Sequence, residues 1–306
     1  MAGADRRARG ASRRSTPGLR LSPADHAQID RLTRDRVGIG ALERYTGSAA
    51  AEFQPYILLT NFKRYVDVFA ERFAAPVRQG SVMRACHAAS ARLSIVDMSV
   101  GSPTAALIVE LLSFLRPNAV LLLGMCGGLR PRYTVGEFFN PVAAIRDEGT
   151  SHFFMPPQCP SLASFPIQRH VVAELEARAL PYHTGVIHTT NVRFWEFDAA
   201  FRAQLAAERA QAIDMECATL FTVGYACRVA LGALMLVSDL PLKRGGIKTK
   251  ASARRVFARF TELHIDTGLA VMERLKAAGT CIFGLDPPAQ LDLRPRRAPT
   301  RARRHA

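Results

Sequence analysis

Along the chain, short continuous apolar runs alternate with stretches in which apolar residues recur every three or four positions. Continuous runs are typical of strands buried on both faces, and the longer spacing is typical of amphipathic helices. The alternation predicts an α/β sheet. The predicted strands cover 56–60, 93–100, 119–124, 138–145, 182–188 and 232–238, and the predicted helices follow residue 60 and cover 104–115, 167–179, 199–209, 216–228 and about 252–278.

Two strand-to-helix junctions carry groups suited to anions. Thr-Asn-Phe-Lys-Arg at 60–64 places Lys63 and Arg64 beside the free N–H groups of a helix start, an arrangement that can bind an anion. Gly-Ser-Pro-Thr at 101–104 offers hydroxyls in the same setting, with Ser102 as the expected N-cap. For 60–64 the alternative is a solvated first turn, and for 101–104 simple helix capping is an equally good explanation.

A glycine-rich segment, Gly-Met-Cys-Gly-Gly at 124–128, follows the predicted strand 119–124, and we expect the strand to break there. Three of the five residues lack a Cβ, so the backbone can approach a ligand closely. The segment matches neither Gly-x-x-x-x-Gly-Lys-Ser/Thr nor Gly-x-Gly-x-x-Gly. Alone, it is a weak indication of a binding site.

Two carboxylates follow apolar strands in the second half of the chain. Glu216 opens an otherwise apolar helix, and Asp239 ends the strand 232–238. Ligands of open α/β sheets gather where strands end, so we expect the two acids to meet at one sheet edge. One acid, held ionised, would bind hydroxyls, while the other would exchange protons. For Glu216 alone, the helix dipole is a sufficient structural explanation.

Together these segments resemble the purine nucleoside phosphorylase and nucleosidase superfamily, and within it the catalytic domain of the AMP nucleosidases, over residues 44–284. The superfamily motifs are matched by Asp-Met-Glu at 214–216 (ribose), Ser-Asp at 238–239 (purine), 101–104 (phosphate loop) and 60–64. The segments similar to AMP nucleosidases are 44–47, 59–66, 124–130, His-Thr-Thr-Asn at 188–191 and Asp-Leu-Pro-Leu at 239–242. Each is weak alone, but five in the same order make a strong resemblance.

The resemblance implies a three-layer α/β fold with a mixed central sheet flanked by helices, and hydrolysis of AMP to adenine and ribose 5-phosphate, a step of purine salvage. It implies that Asp239 shares a proton with purine N7 and that ionised Glu216 binds the ribose hydroxyls. The expected substrate-binding residues are Met215, Ser238, Phe194, Trp195 and Gly127. The expected phosphate ligands are Arg64, Lys63, Thr104, Arg84 and Lys248, with Lys243 as a further candidate. For Phe194 and Trp195, core packing is the alternative, and Phe153 and Phe154 are weaker candidates.

Two departures from the family pattern affect the expected activity. Phosphorylases generally carry a phosphate-binding Arg before the segment at 124–128, and Leu122 or Leu123 stands there in this chain. This favours water as the nucleophile, although a nucleoside phosphorylase or another nucleosidase using the same site remains the alternative. A non-enzymatic nucleotide-binding protein is disfavoured by the intact acids. Long AMP nucleosidases carry an N-terminal regulatory domain, which we do not expect here, so ATP control is in doubt.

The net charge of +15 is concentrated at the two ends of the chain. Residues 1–20 carry +5 and residues 294–306 carry +6, which leaves about +4 for the rest. We expect a basic, mostly disordered arm over 1–40, a catalytic domain over 41–284 and a Pro/Arg-rich disordered tail over 285–306. Nucleic acid would bind at most nonspecifically, through these ends. The longest apolar runs stop well short of the ~20 residues that a membrane span needs.

The six cysteines include no Cys-x-x-Cys pair and no Cys/His cluster. Neither a zinc site nor a disulfide scaffold is expected, and the implied chemistry requires no metal or cofactor. Reduced cysteines, and an N-terminus without an apolar segment, favour a cytoplasmic protein, with an organelle transit peptide as the alternative. The resemblance further implies a homo-oligomer, either a trimer or a hexamer.

Overall fold

A computed structural model of the chain describes residues 23–279. The tail expected at 285–306 and residues 1–22 of the expected arm lie outside the described residues. Residues 23–40 of that arm are helical rather than disordered, since they belong to helix α1 (Pro23–Thr46). In residues 23–279, no helix is both long and apolar enough to cross a membrane.

The described residues form ten strands and six further α-helices. The strands are β1 (Tyr56–Thr60), β2 (Val77–Gln79), β3 (Arg84–Ala88), β4 (Leu93–Asp97), β5 (Ala119–Gly128), β6 (Phe138–Asp147), β7 (Ser161–Leu162), β8 (Tyr182–Thr190), β9 (Ala212–Asp214) and β10 (Leu231–Asp239). The helices are α2 (Lys63–Phe73), α3 (Ser102–Ser113), α4 (Phe165–Ala177), α5 (Ala199–Glu208), α6 (Cys217–Ala226) and α7 (Lys250–Ala278). All the predicted elements are present, whereas α1, β2, β3, β7 and β9 were not predicted.

The strands form one mixed sheet, and half of this sheet closes on itself. The strand order is β10-β6-β8-β9-β5-β1-β4-β3-β2, with β7 beside β6, and β10 also pairs with β5. The strands β10, β6, β8, β9 and β5 therefore form a closed ring. Strand β5 is parallel to β1 and β10 and antiparallel to β9. The predicted α/β class with a mixed central sheet is confirmed.

Helices cover both faces of the sheet. Residues of α1, α3 and α6 pack in one hydrophobic cluster, and residues of α2, α4 and α7 pack in another. Along β5, Val120 and Leu122 belong to the first cluster, and Leu121 and Leu123 belong to the second. Successive side chains of a strand point to opposite faces, so a continuous apolar run fits a strand covered on both sides. The three layers expected from the resemblance are present.

Two local expectations are corrected by the structure. Strand β5 does not break at the glycine-rich segment, because Gly127 and Gly128 pair with β9 and extend the strand. Helix α3 starts at Ser102, and its N-cap is Gly101, whose φ of 104° lies in the region that favours glycine. The Ser102 hydroxyl donates to the Met215 carbonyl at 2.8 Å instead of capping the helix.

A buried hydrogen-bonded chain joins the second helical layer to the sheet. The Tyr65 hydroxyl of α2 lies 2.9 Å from Nδ1 of His264 in α7, and Nε2 of His264 lies 2.9 Å from the Leu234 carbonyl of β10. A carbonyl can only accept, so Nε2 carries the proton and Nδ1 accepts from Tyr65. Burial lowers the pKa of His264 to about 4 and raises the pKa of Tyr65. Both groups are therefore neutral at pH 7.

Replacing Tyr65 tests this connection. Tyr65→Phe leaves Nδ1 of His264 buried without a donor, so we expect the free energy of unfolding in urea to fall by about 1–3 kcal/mol. Tyr225→Phe is the control, because Tyr225 is 58% exposed, and it should change the value by less than about 0.5 kcal/mol. Equal losses in the two variants would contradict the proposed connection.

Candidate active site

The carboxyl-terminal ends of β5, β9 and β10 border one cavity of about 200 Å³. At the end of β5, Gly127 pairs with Ile213 of β9 on one side and with Asp239 of β10 on the other. Strand β9 leads directly to Glu216 at the start of α6. The register thus brings Glu216 and Asp239 to the two sides of one strand end, and both side chains line the cavity.

The cavity contains part of the predicted site and several residues that were not predicted. Seven predicted residues line it: Asp239, Glu216, Met215, Ser238, Trp195, Gly127 and Lys248. The other lining residues are Asn61, Phe62, Val100, Met125, Cys126, Thr190, Val192, Arg193, Glu196, Ile213 and Asp214. The wall therefore combines four acids, two cations and an apolar surface.

The start of helix α6 is held by Asp214 and not by Glu216. Asp214 Oδ2 accepts hydrogen bonds from the backbone N–H groups of Glu216 at 3.2 Å and Cys217 at 2.7 Å. Its Oδ1 accepts the Thr189 hydroxyl at 2.6 Å. Glu216 makes no side-chain capping bond. Because Asp214 satisfies the helix start, helix capping does not explain Glu216.

Glu216 has a buried carboxylate, and a hydrogen bond from the neighbouring loop holds it in place. It is 3% exposed, and its Oε1 accepts the backbone N–H of Gly101 at 2.8 Å. Burial raises the pKa of Glu216 to about 7, the Asp214 charge adds to this rise, and hydrogen bonds from Gly101 and Asn61 offset it only in part. The segment at 101–104, predicted as a phosphate loop, thus orients Glu216.

Asp239 lies in a short polar chain at the end of β10. The Ser238 hydroxyl donates to Asp239 Oδ1 at 2.6 Å, and Lys248 Nζ donates to Ser238 Oγ at 3.1 Å. The register with β5 shifts between Val237 and Asp239, an irregularity of the kind that re-aims side chains next to active sites. Burial raises the pKa of Asp239, although Ser238 and Lys248 work against the rise. Burial lowers the pKa of Lys248.

Four of the five predicted phosphate ligands do not line the cavity, namely Arg64, Lys63, Arg84 and Thr104. Arg64 is half exposed and pairs with Glu71 at 3.0 Å, and Arg84 pairs with Asp67 at 2.7 Å. The acids of α2 thus compensate both guanidinium groups. The Thr104 hydroxyl donates to the Gly101 carbonyl at 2.8 Å, within the first turn of α3. Within a single chain, these four residues therefore cannot contact a phosphate group bound in the cavity.

The two aromatic candidates differ in position. Trp195 lines the cavity and also packs with Leu205 and Ile213 in a small hydrophobic cluster, so it belongs to both the wall and the core. Phe194 is 71% exposed and does not line the cavity. Its predicted contact with the substrate base is not supported within one chain. Phe153, a weaker candidate, is 92% exposed.

Five polar residues of the wall were not among the predicted site residues, namely Asn61, Thr190, Asp214, Arg193 and Glu196. The first three lie in the motif segments 60–64, 188–191 and 214–216. Asn61 directly follows β1, and its place at a strand end was the signal that could have identified it. Arg193 and Glu196 follow β8 and form an ion pair at 3.0 Å, but no sequence pattern marks them. In residues 23–279, no group of three or more His, Cys, Asp or Glu side chains could hold a metal ion.

Comparisons with known proteins bear on the family and the fold of the chain. The model of the phosphorylase superfamily matches residues 56–269. AMP nucleosidase from Escherichia coli is 29% identical over 85% of this chain, which spans 62% of that relative's length. The crystal structure of AMP nucleosidase from Bacteroides thetaiotaomicron is 35% identical with a TM-score of 0.72, covering 80% of this chain and 99% of that one. Purine nucleoside phosphorylase from Toxoplasma gondii shares the fold at 16% identity, with a TM-score of 0.67, covering 76% of this chain and 95% of that chain.

The raised pKa of Glu216 predicts a stabilising substitution. The folded protein holds the Glu216 proton more tightly than the unfolded chain, so ionisation costs stability as the pH rises from about 4.5 to about 7. Glu216→Gln removes that cost, and at pH 8 we expect a gain on the order of 2 kcal/mol, or several degrees in Tm. At pH 4.5 and below, the gain should be absent.

Glu137→Gln is the matched control for this measurement. Burial acts to raise the pKa of Glu137, but hydrogen bonds from His183 and Thr134 outweigh it and lower the pKa. This carboxylate therefore stabilises the fold when ionised, and its replacement should lower Tm at pH 8. If the Tm of Glu216→Gln at pH 8 is at or below the wild-type value, burial and the charge of Asp214 do not disfavour the ionised form of Glu216.

Proposed function

Since the chain belongs to the phosphorylase superfamily, we propose that it hydrolyses the N-glycosidic bond of AMP to adenine and ribose 5-phosphate. The observation that carries this proposal is the meeting of Glu216 and Asp239 in one cavity. The likeness to AMP nucleosidases supports AMP as the substrate. The proposal includes a catalytic domain over 41–284 that works in the cytoplasm as a homo-oligomer, a trimer or a hexamer.

In the proposed reaction Asp239 serves the leaving base. Cleavage of the bond between C1′ and N9 leaves its electron pair on the purine. Asp239 donates a proton to N7 and so makes adenine a better leaving group, and burial favours its protonated form by raising its pKa. Such proton transfer contributes roughly 10²–10⁴-fold to a rate. Ser238 and Lys248 then stabilise the carboxylate that remains.

Glu216 serves the sugar. In its ionised form it accepts hydrogen bonds from the ribose 2′- and 3′-hydroxyls and favours the positive charge that develops on the ring. Within the described residues Asn61 Oδ1 is buried without a hydrogen-bond partner, so it is available to a sugar hydroxyl beside Glu216. Met215 packs under the sugar. Water adds to C1′ and releases a proton, which replaces the one that Asp239 gave to the base and so completes the hydrolysis.

Phosphorolysis, the alternative reaction, has less support. Leu122 and Leu123, at the position where phosphorylases carry an Arg, are fully buried and apolar. Among the described residues, the only cations of the cavity wall are Arg193 and Lys248. Arg193 pairs with Glu196, and Lys248 donates to Ser238. Both cations already have polar partners, so the support for water over phosphate rests mainly on the two buried leucines.

Product analysis of the purified protein tests the function. Incubation with AMP should release adenine and ribose 5-phosphate without added phosphate, and AMP should be cleaved faster than adenosine. Adenosine, GMP and IMP, each with and without phosphate, serve as comparisons. Base release that requires phosphate and yields a sugar 1-phosphate would instead identify a phosphorylase.

Substitution of the proposed acid tests the mechanism. Asp239→Asn removes the proton donated to N7, so kcat for AMP should fall by at least about 10²-fold while the circular dichroism spectrum is unchanged. Asp147→Asn is the control, because Asp147 ends β6 outside the cavity wall, and its variant should retain most of the activity. Near-normal adenine release by Asp239→Asn would refute the assignment.

A further inference from the structure

Glu196 brings a buried, incompletely paired carboxylate to the cavity wall. Its side chain lines the cavity, and the residue is 5% exposed. Oε1 accepts from Arg193 Nη1 at 3.0 Å, whereas Oε2 is buried and has no hydrogen-bond partner within residues 23–279. A buried acceptor left without a donor costs free energy, so its presence in a ligand cavity indicates a donor on the ligand.

The segment that carries Glu196 is anchored on both sides. Arg202 Nη1 donates to the Glu196 carbonyl at 2.7 Å, and the adjacent Trp195 is buried against Leu205 and Ile213. Arg193 also holds the carboxylate itself. The Oε2 atom is therefore fixed before any ligand arrives, as required of a group that selects its ligand.

Glu196 lies at the Asp239 end of the cavity. Both residues line the cavity, and the adjacent Trp195 packs with Ile213, whose strand partner Gly127 also pairs with Asp239. The negative charge of Glu196 accordingly adds to the rise in the pKa of Asp239 that burial causes. Glu216, by contrast, lies with Gly101 and Asn61 at the sugar end. A ligand that presents N7 to Asp239 therefore presents the rest of the same purine edge to Glu196.

The chemistry of that edge identifies the donor. On a purine, N7 and the 6-substituent share one edge, where adenine carries an amino group that donates and guanine carries an oxygen that accepts. A carboxylate paired with Arg193 is an acceptor only. It binds a 6-amino group and repels a 6-oxo group.

We propose that Glu196 is the residue that selects a 6-aminopurine over a 6-oxopurine, through a hydrogen bond from the 6-amino group to Oε2. The inference rests on the proposed function for the identity of the reaction, but the selection concerns binding of the base. Sites built to hydrogen-bond one group discriminate strongly against analogues that leave their buried polar atoms unpaired.

Glu196→Gln tests the selection, because the amide keeps the size of the side chain and adds a donor. The ratio of kcat/KM for AMP to that for IMP should fall by about 10- to 100-fold. For purine riboside 5′-monophosphate, which carries hydrogen at C6, kcat/KM should fall less than for AMP, since only the effect of the lost charge on Asp239 remains. Glu71→Gln, which removes another 3.0 Å Glu–Arg ion pair outside the cavity, should leave the AMP/IMP ratio unchanged.

An unchanged AMP/IMP ratio in Glu196→Gln, or an equal loss on the 6-hydrogen nucleotide, would overturn the proposal and leave Glu196 a structural residue. Calorimetric binding of free adenine and hypoxanthine separates this proposal from the reaction. A wild type that does not hydrolyse AMP but binds adenine in preference, with the preference lost in Glu196→Gln, would refute the hydrolysis and support the selection. Equal binding of the two bases by the wild type would refute the selection.

Discussion

The arrangement of the site depends on the hydrogen bonds that Asp214 accepts from the start of α6. By accepting from two backbone N–H groups and from Thr189, Asp214 satisfies the helix terminus inside the protein. Glu216, two residues later, therefore has no capping role, and its side chain is buried. Its raised pKa follows from that burial and from the charge of Asp214. Glu216 has no capping role because the neighbouring carboxylate of Asp214 caps the helix.

The closed half of the sheet explains why two distant segments meet. Gly127 is the shared neighbour, with Ile213 of β9 on one side and Asp239 of β10 on the other. A Cβ at Gly127 would lie 3.1 Å from Ile213 Cγ2 and 3.2 Å from Pro241 Cγ, tighter than most real contacts. The glycine therefore permits the close approach of β9 and of the segment that follows β10, in addition to any approach by a ligand.

The sequence predicts the parts of this structure that depend on local pattern. Apolar runs located the long strands, and the rule that ligands gather at strand ends singled out Glu216 and Asp239. Short strands such as β9 have too few residues to show a period. Arg64 does not line the cavity and pairs instead with Glu71, two turns along the same face of α2, a partner that the pattern did not take into account. The place of Glu196 in the cavity could not be predicted, since it depends on how the turn at Trp195–Phe197 packs against Leu205 and Ile213.

The charges of the cavity wall affect how the proposed nucleotide substrate would bind. Four carboxylates and two cations line it, so a fully ionised wall would repel an anionic substrate. Burial raises the pKa of Asp214, Glu216 and Asp239, and each proton that these groups take up reduces that repulsion. The desolvation that favours the proton of Asp239, the proposed general acid, thus also lowers the negative charge that a bound nucleotide would meet. In the proposed reaction, proton uptake and catalysis share one physical origin, the exclusion of water from the ends of β5, β9 and β10.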